Sequence, residues 1–271
     1  MAIDWDDAFA CTPYIPNGAR YPMLWAAAAN AYRLSRGPER LRANLAYGDH
    51  PRQKLDLHLP AERPVGLVVF VHGGYWRRFD RELFSHYATG PVARGWAVAM
   101  PGYPFAPEVR ISDITRSVTD AIEQVAHVVE GPIVLAGHSA GGHLVTRQIC
   151  ADSRLSPGVL ARIGRVVSIA GVHDLRPFLR MNANSDLHLD RAEAVAESPA
   201  LCEPIAGKEI HVWVGEADRP EFVRQSVLLD TIWSGFDVTL RRMIAPRRHH
   251  FDVIDPLLSP TSALSALVTF A

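Results

Sequence analysis

The stretch at 131–144 constrains this chain more than any other. A Gly131-Pro132 break is followed by four apolar residues, Ile133 to Ala136, then Gly137-His138-Ser139-Ala140-Gly141, and then a helical pattern. The apolar run suits a strand buried on both faces. A turn this tight forces Ser139 into a strained backbone conformation, and glycines at 137 and 141 leave room for neighbouring chain. Such a strand–turn–helix lifts the serine oxygen out of the sheet. It also turns the following N–H and the positive end of the helix toward any anion that develops there. Ser139 is therefore the candidate nucleophile.

The rest of the chain supplies a frame for that turn. A nearly continuous apolar run at 65–71 and another at 96–100 predict buried strands, and further strands are read at 165–170, 209–214 and, last, 237–244. Helical spacing at 80–94, 108–129 and 221–233 falls between them, with one or two short helices at 251–271. Strands alternating with helices at this spacing imply a parallel, doubly wound sheet with helices on both faces. A hairpin over 44–59 precedes them. There, Lys54, Asp56 and His58 alternate with Leu55, Leu57 and Leu59, the pattern of a half-buried strand. The Ala-rich stretch at 25–32, with Pro22 near its start, reads as a helical arm bracing the surface. Periodicity fades at 172–207, where a small lid-like insertion is expected. No repeat or linker interrupts the chain, so residues 1–271 are expected to form one domain, with 1–45 as its N-terminal arm.

Composition excludes several classes. At 271 residues the chain can bury a large core, and a formal net charge of −1 gives no field favouring nucleic acid or an anionic membrane. The basic pairs Arg77-Arg78 and Arg247-Arg248 read as solvated faces. Three scattered cysteines, Cys11, Cys150 and Cys202, fit a reducing compartment and are read as packing residues. The acidic start and the lack of a membrane-length apolar run point to a cytoplasmic protein.

A serine hydroxyl needs a base to take its proton and an acid to orient that base, both on loops at the carboxyl ends of strands. Asp218 follows the 209–214 strand and precedes a helix begun by Pro220, with Glu216 as the fallback. His249-His250 follows the last strand, and spacing alone does not separate the two. His72-Gly73-Gly74 follows the 65–71 strand, where two glycines let main-chain N–H groups approach a substrate oxygen. His138 and His143 lack further ligands at workable spacing, so neither a metal nor an organic cofactor is expected.

These residues carry a resemblance. His72-Gly73-Gly74-Tyr75-Trp76, Gly137-His138-Ser139-Ala140-Gly141-Gly142, Asp218-Arg219-Pro220-Glu221-Phe222 and His250-Phe251 resemble the α/β-hydrolase superfamily over roughly residues 45–260. The Tyr103-Pro104-Phe105-Ala106-Pro107-Glu108 run is similar to one found in the branch of hormone-sensitive-lipase-like esterases and arylformamidases (kynurenine formamidases). Tyr75-Trp76 after the two glycines resembles the formamidases in particular. The resemblance implies a Ser139–Asp218–His250 triad, with the base at the histidine before phenylalanine. It also implies oxyanion N–H groups from Gly73, Gly74 and Ala140, and hydrolysis of a small formyl- or acetyl-type amide or ester. Tyr75, Trp76 and Tyr103 are the expected substrate contacts. A broad short-chain carboxylesterase is the alternative, and a silent receptor of the same fold is the alternative of another class. A small-molecule ester or amide is the expected partner, and a homodimer through the C-terminal helices is a compatible assembly.

Overall fold

Eight strands form a single sheet in the order β1-β2-β4-β3-β5-β6-β7-β8 in a computed structural model that describes residues 3–270. The strands are β1 (Leu41–Ala46), β2 (Lys54–His58), β3 (Leu67–Val71), β4 (Ala97–Pro101), β5 (Ile133–His138), β6 (Ile163–Ile169), β7 (Glu209–Gly215) and β8 (Thr239–Ala245). β1 and β2 are antiparallel, and β2 runs antiparallel to β4; from β4 across to β8 every pairing is parallel. Among the described residues, ten α-helices accompany the strands. The first four are α1 (Trp5–Phe9), α2 (Tyr21–Leu34), α3 (Thr89–Ala93) and α4 (Ile111–Ala126). They are followed by α5 (Ala140–Arg147), α6 (Pro157–Arg162), α7 (Asn184–Leu187) and α8 (Arg191–Ala196), then α9 (Pro220–Trp233) and α10 (Ala263–Val268).

The sheet separates two apolar layers, as parallel strands require. Leu67, Val69 and Val71 of β3 face α4 and α5, whereas Val68 and Phe70 face the aromatic cluster of Trp25, Phe84 and Tyr87. The chain moves to opposite sides after β3: β4 lies on one side of it and β5 on the other. That reversal opens a crevice outside the carboxyl ends of β3 and β5, the place where open α/β sheets bind ligands. Among the described residues, no helix is long and apolar enough to cross a membrane.

Two expectations need correction. The 80–94 segment is not one helix: a 3-10 stretch at Arg81–Ala88 gives way to α3, in which Pro91 has no N–H to donate. β2 is not half-buried either. Asp56 and His58 are fully enclosed, because α2 and the 3-10 stretch cover the face that period-2 polarity would leave in water. Asp56 pairs with Arg33 of α2, and accepts from Arg81 Nε at 3.2 Å and from the Asn44 N–H at 2.8 Å. Burial works against its charge, but these donors outweigh it and hold the carboxyl below its ordinary range. His58 has no hydrogen-bond partner among the described residues and lies against Tyr32, and burial drives its pKa down to about 3, so it stays neutral.

Removing one member of a buried charge network strands the other. Asp56→Ala should therefore lower the unfolding free energy by about 3–5 kcal/mol, read by denaturant titration. A loss near zero would show that Arg33 and Arg81 find water or other acceptors.

Candidate active site

The turn after β5 is built by close backbone approach. A side chain on Gly141 would place its Cβ 1.9 Å from the Val71 carbonyl oxygen, and one on Gly137 would lie 2.2 Å from that of Gly141. Only glycine fits at either position. Between them Ser139 takes φ 55° and ψ −118°, caps the start of α5, and donates its N–H to the Ile169 carbonyl at 2.8 Å. Backbone of this kind persists only where the surroundings over-determine it, which is common at functional sites.

The carboxyl ends of β7 and β8 bring the partners. His250 Nε2 lies 3.0 Å from Ser139 Oγ, and Nδ1 lies 3.1 Å from Asp218 Oδ2. The other Asp218 oxygen accepts the Arg219 N–H at 2.8 Å, which fixes the carboxylate. His138 Nε2 donates to the His250 carbonyl at 2.8 Å, tying the histidine loop to the serine turn. Glu216 is turned away and accepts the Arg247 N–H. His249 also points elsewhere: its Nε2 meets the Tyr21 hydroxyl at 3.1 Å and its Nδ1 accepts the N–H groups of Phe251 and Asp252. Of the paired histidines, then, it is His250 that reaches the serine.

Electrostatics single out the same residue. Burial pushes seven other enclosed histidines (58, 72, 86, 138, 143, 173 and 211) below their ordinary value. Burial also opposes a charge on His250, yet the Cys11 thiol and the Asp218 carboxylate beside it outweigh that and raise its pKa.

The loop after β3 runs alongside. A Cβ on Gly73 would sit 2.9 Å from both the Ser139 Cβ and the His138 carbonyl, so Gly73 lies against the serine. Gly74 has φ 126° and its missing side chain would strike the Arg78 carbonyl. Tyr75 and Trp76 continue in left-handed backbone, at φ 54° and 57°. Ala140 follows the serine at the start of α5.

A cavity of about 590 Å³ opens over Ser139 and His250. Tyr75 lines it, together with Trp25, Phe79, Phe84 and Phe251. The other two expected substrate contacts lie outside it. Tyr103 is fully buried, stacked on His72 with ring centroids 4.5 Å apart, and donates its hydroxyl to the His72 carbonyl. Trp76 is packed against Phe178 and donates its ring N–H to His143 Nδ1 at 3.2 Å. Arg77 and Arg78, read from sequence as solvated, line the rim. Met181, Asn182 and Ala183 bring the 172–207 segment to the cavity wall.

The N-terminal arm is more than a brace. Asp6, Ala10, Cys11, Thr12 and Pro13 form one wall of the cavity. Cys11 is not a packing residue alone: its sulfur, a carboxylate oxygen of Asp218 and a ring nitrogen of His250 lie within 4.8 Å of one another. No local motif marks this cysteine, because it meets the site only through the fold.

A family model described as the alpha/beta hydrolase family matches residues 68–269. The chain belongs to the alpha/beta hydrolase family. Within this family of hydrolases, it is 32% identical to a kynurenine formamidase of Salmo salar, over 87% of this chain and 85% of that one. It is 29% identical to the kynurenine formamidase of Danio rerio over 89% and 87% of the two chains. A crystal structure from Silicibacter sp. tm1040, of a protein described provisionally as a thioesterase, is 46% identical. It superposes with a TM-score of 0.94 over 98% of this chain and 99% of that one. Esterase B of Lactobacillus rhamnosis, 22% identical with a TM-score of 0.66 over 87% of each chain, shares the fold.

A raised histidine pKa contributes stability that is complete below the unfolded value and is lost as pH rises through the folded one. The His250 ring, followed by NMR, should thus titrate above the ordinary value of about 6.5. Cys11→Ala should bring the midpoint down, since it removes a group that favours the imidazolium. An unmoved midpoint would assign the whole upward shift to Asp218.

Proposed function

We propose that the chain is a serine hydrolase that removes a small formyl- or acetyl-type acyl group from an aromatic amine or alcohol. One observation carries the proposal: Ser139 Oγ, the two His250 nitrogens and Asp218 Oδ2 form one chain of contacts at 3.0 and 3.1 Å. In this reading Ser139 Oγ attacks the carbonyl carbon while His250 Nε2 takes its proton. Asp218 keeps the imidazole in the orientation that presents Nε2 and stabilises the imidazolium. The negative oxygen rests on the N–H groups of Gly73, Gly74 and Ala140, each typically worth about 10²–10³ in kcat. His250 then returns the proton to the leaving nitrogen or oxygen, and that bond breaks. Water, deprotonated by the same nitrogen, releases the acid from Ser139. His250 acts as base only when neutral, so its raised pKa makes the rate climb with pH through that value.

The preference for an aromatic leaving group has two supports. The cavity wall carries five aromatic side chains, those of Trp25, Tyr75, Phe79, Phe84 and Phe251. The relatives from Salmo salar and Danio rerio are formamidases acting on a kynurenine compound by name, and this chain spans most of their length. A thioester is the second reading, favoured by the 46% identity to the provisionally described thioesterase.

The test is kcat/KM on N-formylkynurenine, p-nitrophenyl acetate and a small acetyl thioester, with Ser139→Ala as the blank. The expected result is a preference for the formamide of about a hundredfold or more, roughly 2.7 kcal/mol in transition-state binding. Turnover of the ester or thioester alone would overturn the formamidase reading. Turnover surviving Ser139→Ala would overturn the triad.

A further inference from the structure

We propose that Cys11, Asp218 and His250 form a binding site for a soft divalent cation such as Zn²⁺, and that filling it switches the hydrolase off. Thiol sulfur, imidazole nitrogen and carboxylate oxygen are the donor types that zinc takes. Here one of each lies within 4.8 Å of the others, and all three residues are buried. Ligand atoms around a tetrahedral zinc stand roughly 3.4–3.8 Å apart, from bond lengths of about 2.0–2.3 Å. Closing the group onto an ion therefore asks for movements of about 1 Å or less. The Cys11 side chain is free to make them, because its sulfur has only a weak 3.6 Å contact to the Phe9 carbonyl.

Charge balance favours occupancy. A thiolate and a carboxylate together cancel a divalent cation, so the loaded site carries no net charge into the interior, where an unpaired ion would be costly. Binding releases the Cys11 thiol proton; a neutral ring coordinates through one lone pair and keeps its single N–H on the other nitrogen, while a protonated ring also gives up one proton, and nothing is oxidised or reduced. Cys11 and His250 both line the cavity, which gives the ion a route in and leaves the fourth position open to water.

Inhibition follows whichever nitrogen coordinates. Metal on Nδ1 displaces the 3.1 Å contact to Asp218, and metal on Nε2 displaces the 3.0 Å contact to Ser139. Either one removes the base. This half of the proposal rests on the role given to His250 above; the binding itself does not.

The test uses Co²⁺ as a coloured stand-in. Wild-type protein and Ser139→Ala should both develop a near-ultraviolet thiolate-to-cobalt absorption band that Zn²⁺ abolishes, and Cys11→Ala should not. Zn²⁺ should inhibit the wild type and a chelator should restore it. Cys11→Ala, measured against its own metal-free rate, should need at least 10–100-fold more Zn²⁺, the loss typical when even an outer ligand partner is removed. Should Cys11→Ala fold poorly by circular dichroism, Cys11→Ser keeps the shape and replaces the soft donor. An unchanged band in a folded Cys11 variant, or no band in wild type, would overturn the site. A band without inhibition would overturn the switch and point to an error in the role of His250, with the site intact.

Discussion

Everything at the site depends on how closely two pieces of backbone approach at the carboxyl ends of β3 and β5. Gly141 leaves no space for a methyl group against the Val71 carbonyl, and Gly73 leaves little against Ser139. That contact locks the loop after β3 to the turn after β5, across the point where the chain reverses its direction of travel through the sheet. β5 is buried along its whole length, so the strained Ser139 backbone is held by a rigid strand on one side and α5 on the other. Around this fixed point the loops after β7 and β8 need only deliver one carboxylate and one imidazole.

The residues that follow strands were legible in the sequence, for a physical reason. A parallel sheet gathers the carboxyl ends of its strands along one edge, so Ser139, Asp218, the histidine pair and Gly73-Gly74 had to converge. Which histidine faces inward was not readable from spacing, since it depends on how the loop is pinned. His249 is drawn outward by Tyr21 and Asp252, and the His250 carbonyl is held by His138. Tyr103 and Trp76 lie outside the cavity, and the sequence could not show this because an aromatic next to the loop after β3 looks the same whether it faces a cavity or the core. In β2, polar alternation looks the same whether the polar face meets water or a buried ion-pair network, here that of Asp56 with Arg33 and Arg81.

The N-terminal arm was the least legible part. Its grip on the site is entirely long-range. The Arg219 guanidinium bonds the Asp7 carboxylate at 2.8 Å, the Asn182 N–H donates to Asp6 at 2.9 Å, and Tyr75 donates to the Phe9 carbonyl. Phe9 itself stands 4.6 Å from Phe178 and 5.5 Å from Phe222, ring centre to ring centre. These ties carry Cys11 to the Asp218–His250 pair. The arm consequently shapes the cavity and adds a thiol to the electrostatics of His250, two contributions that no local pattern announces.

The central claim is that Ser139 is a nucleophile activated by His250 and Asp218. Covalent labelling by a fluorophosphonate, followed by intact-mass and peptide mass spectrometry, tests it most directly. The account predicts one adduct per chain, on Ser139, lost in Ser139→Ala and slowed strongly in His250→Ala. A folded protein that takes no label, or takes it on another residue, would contradict it.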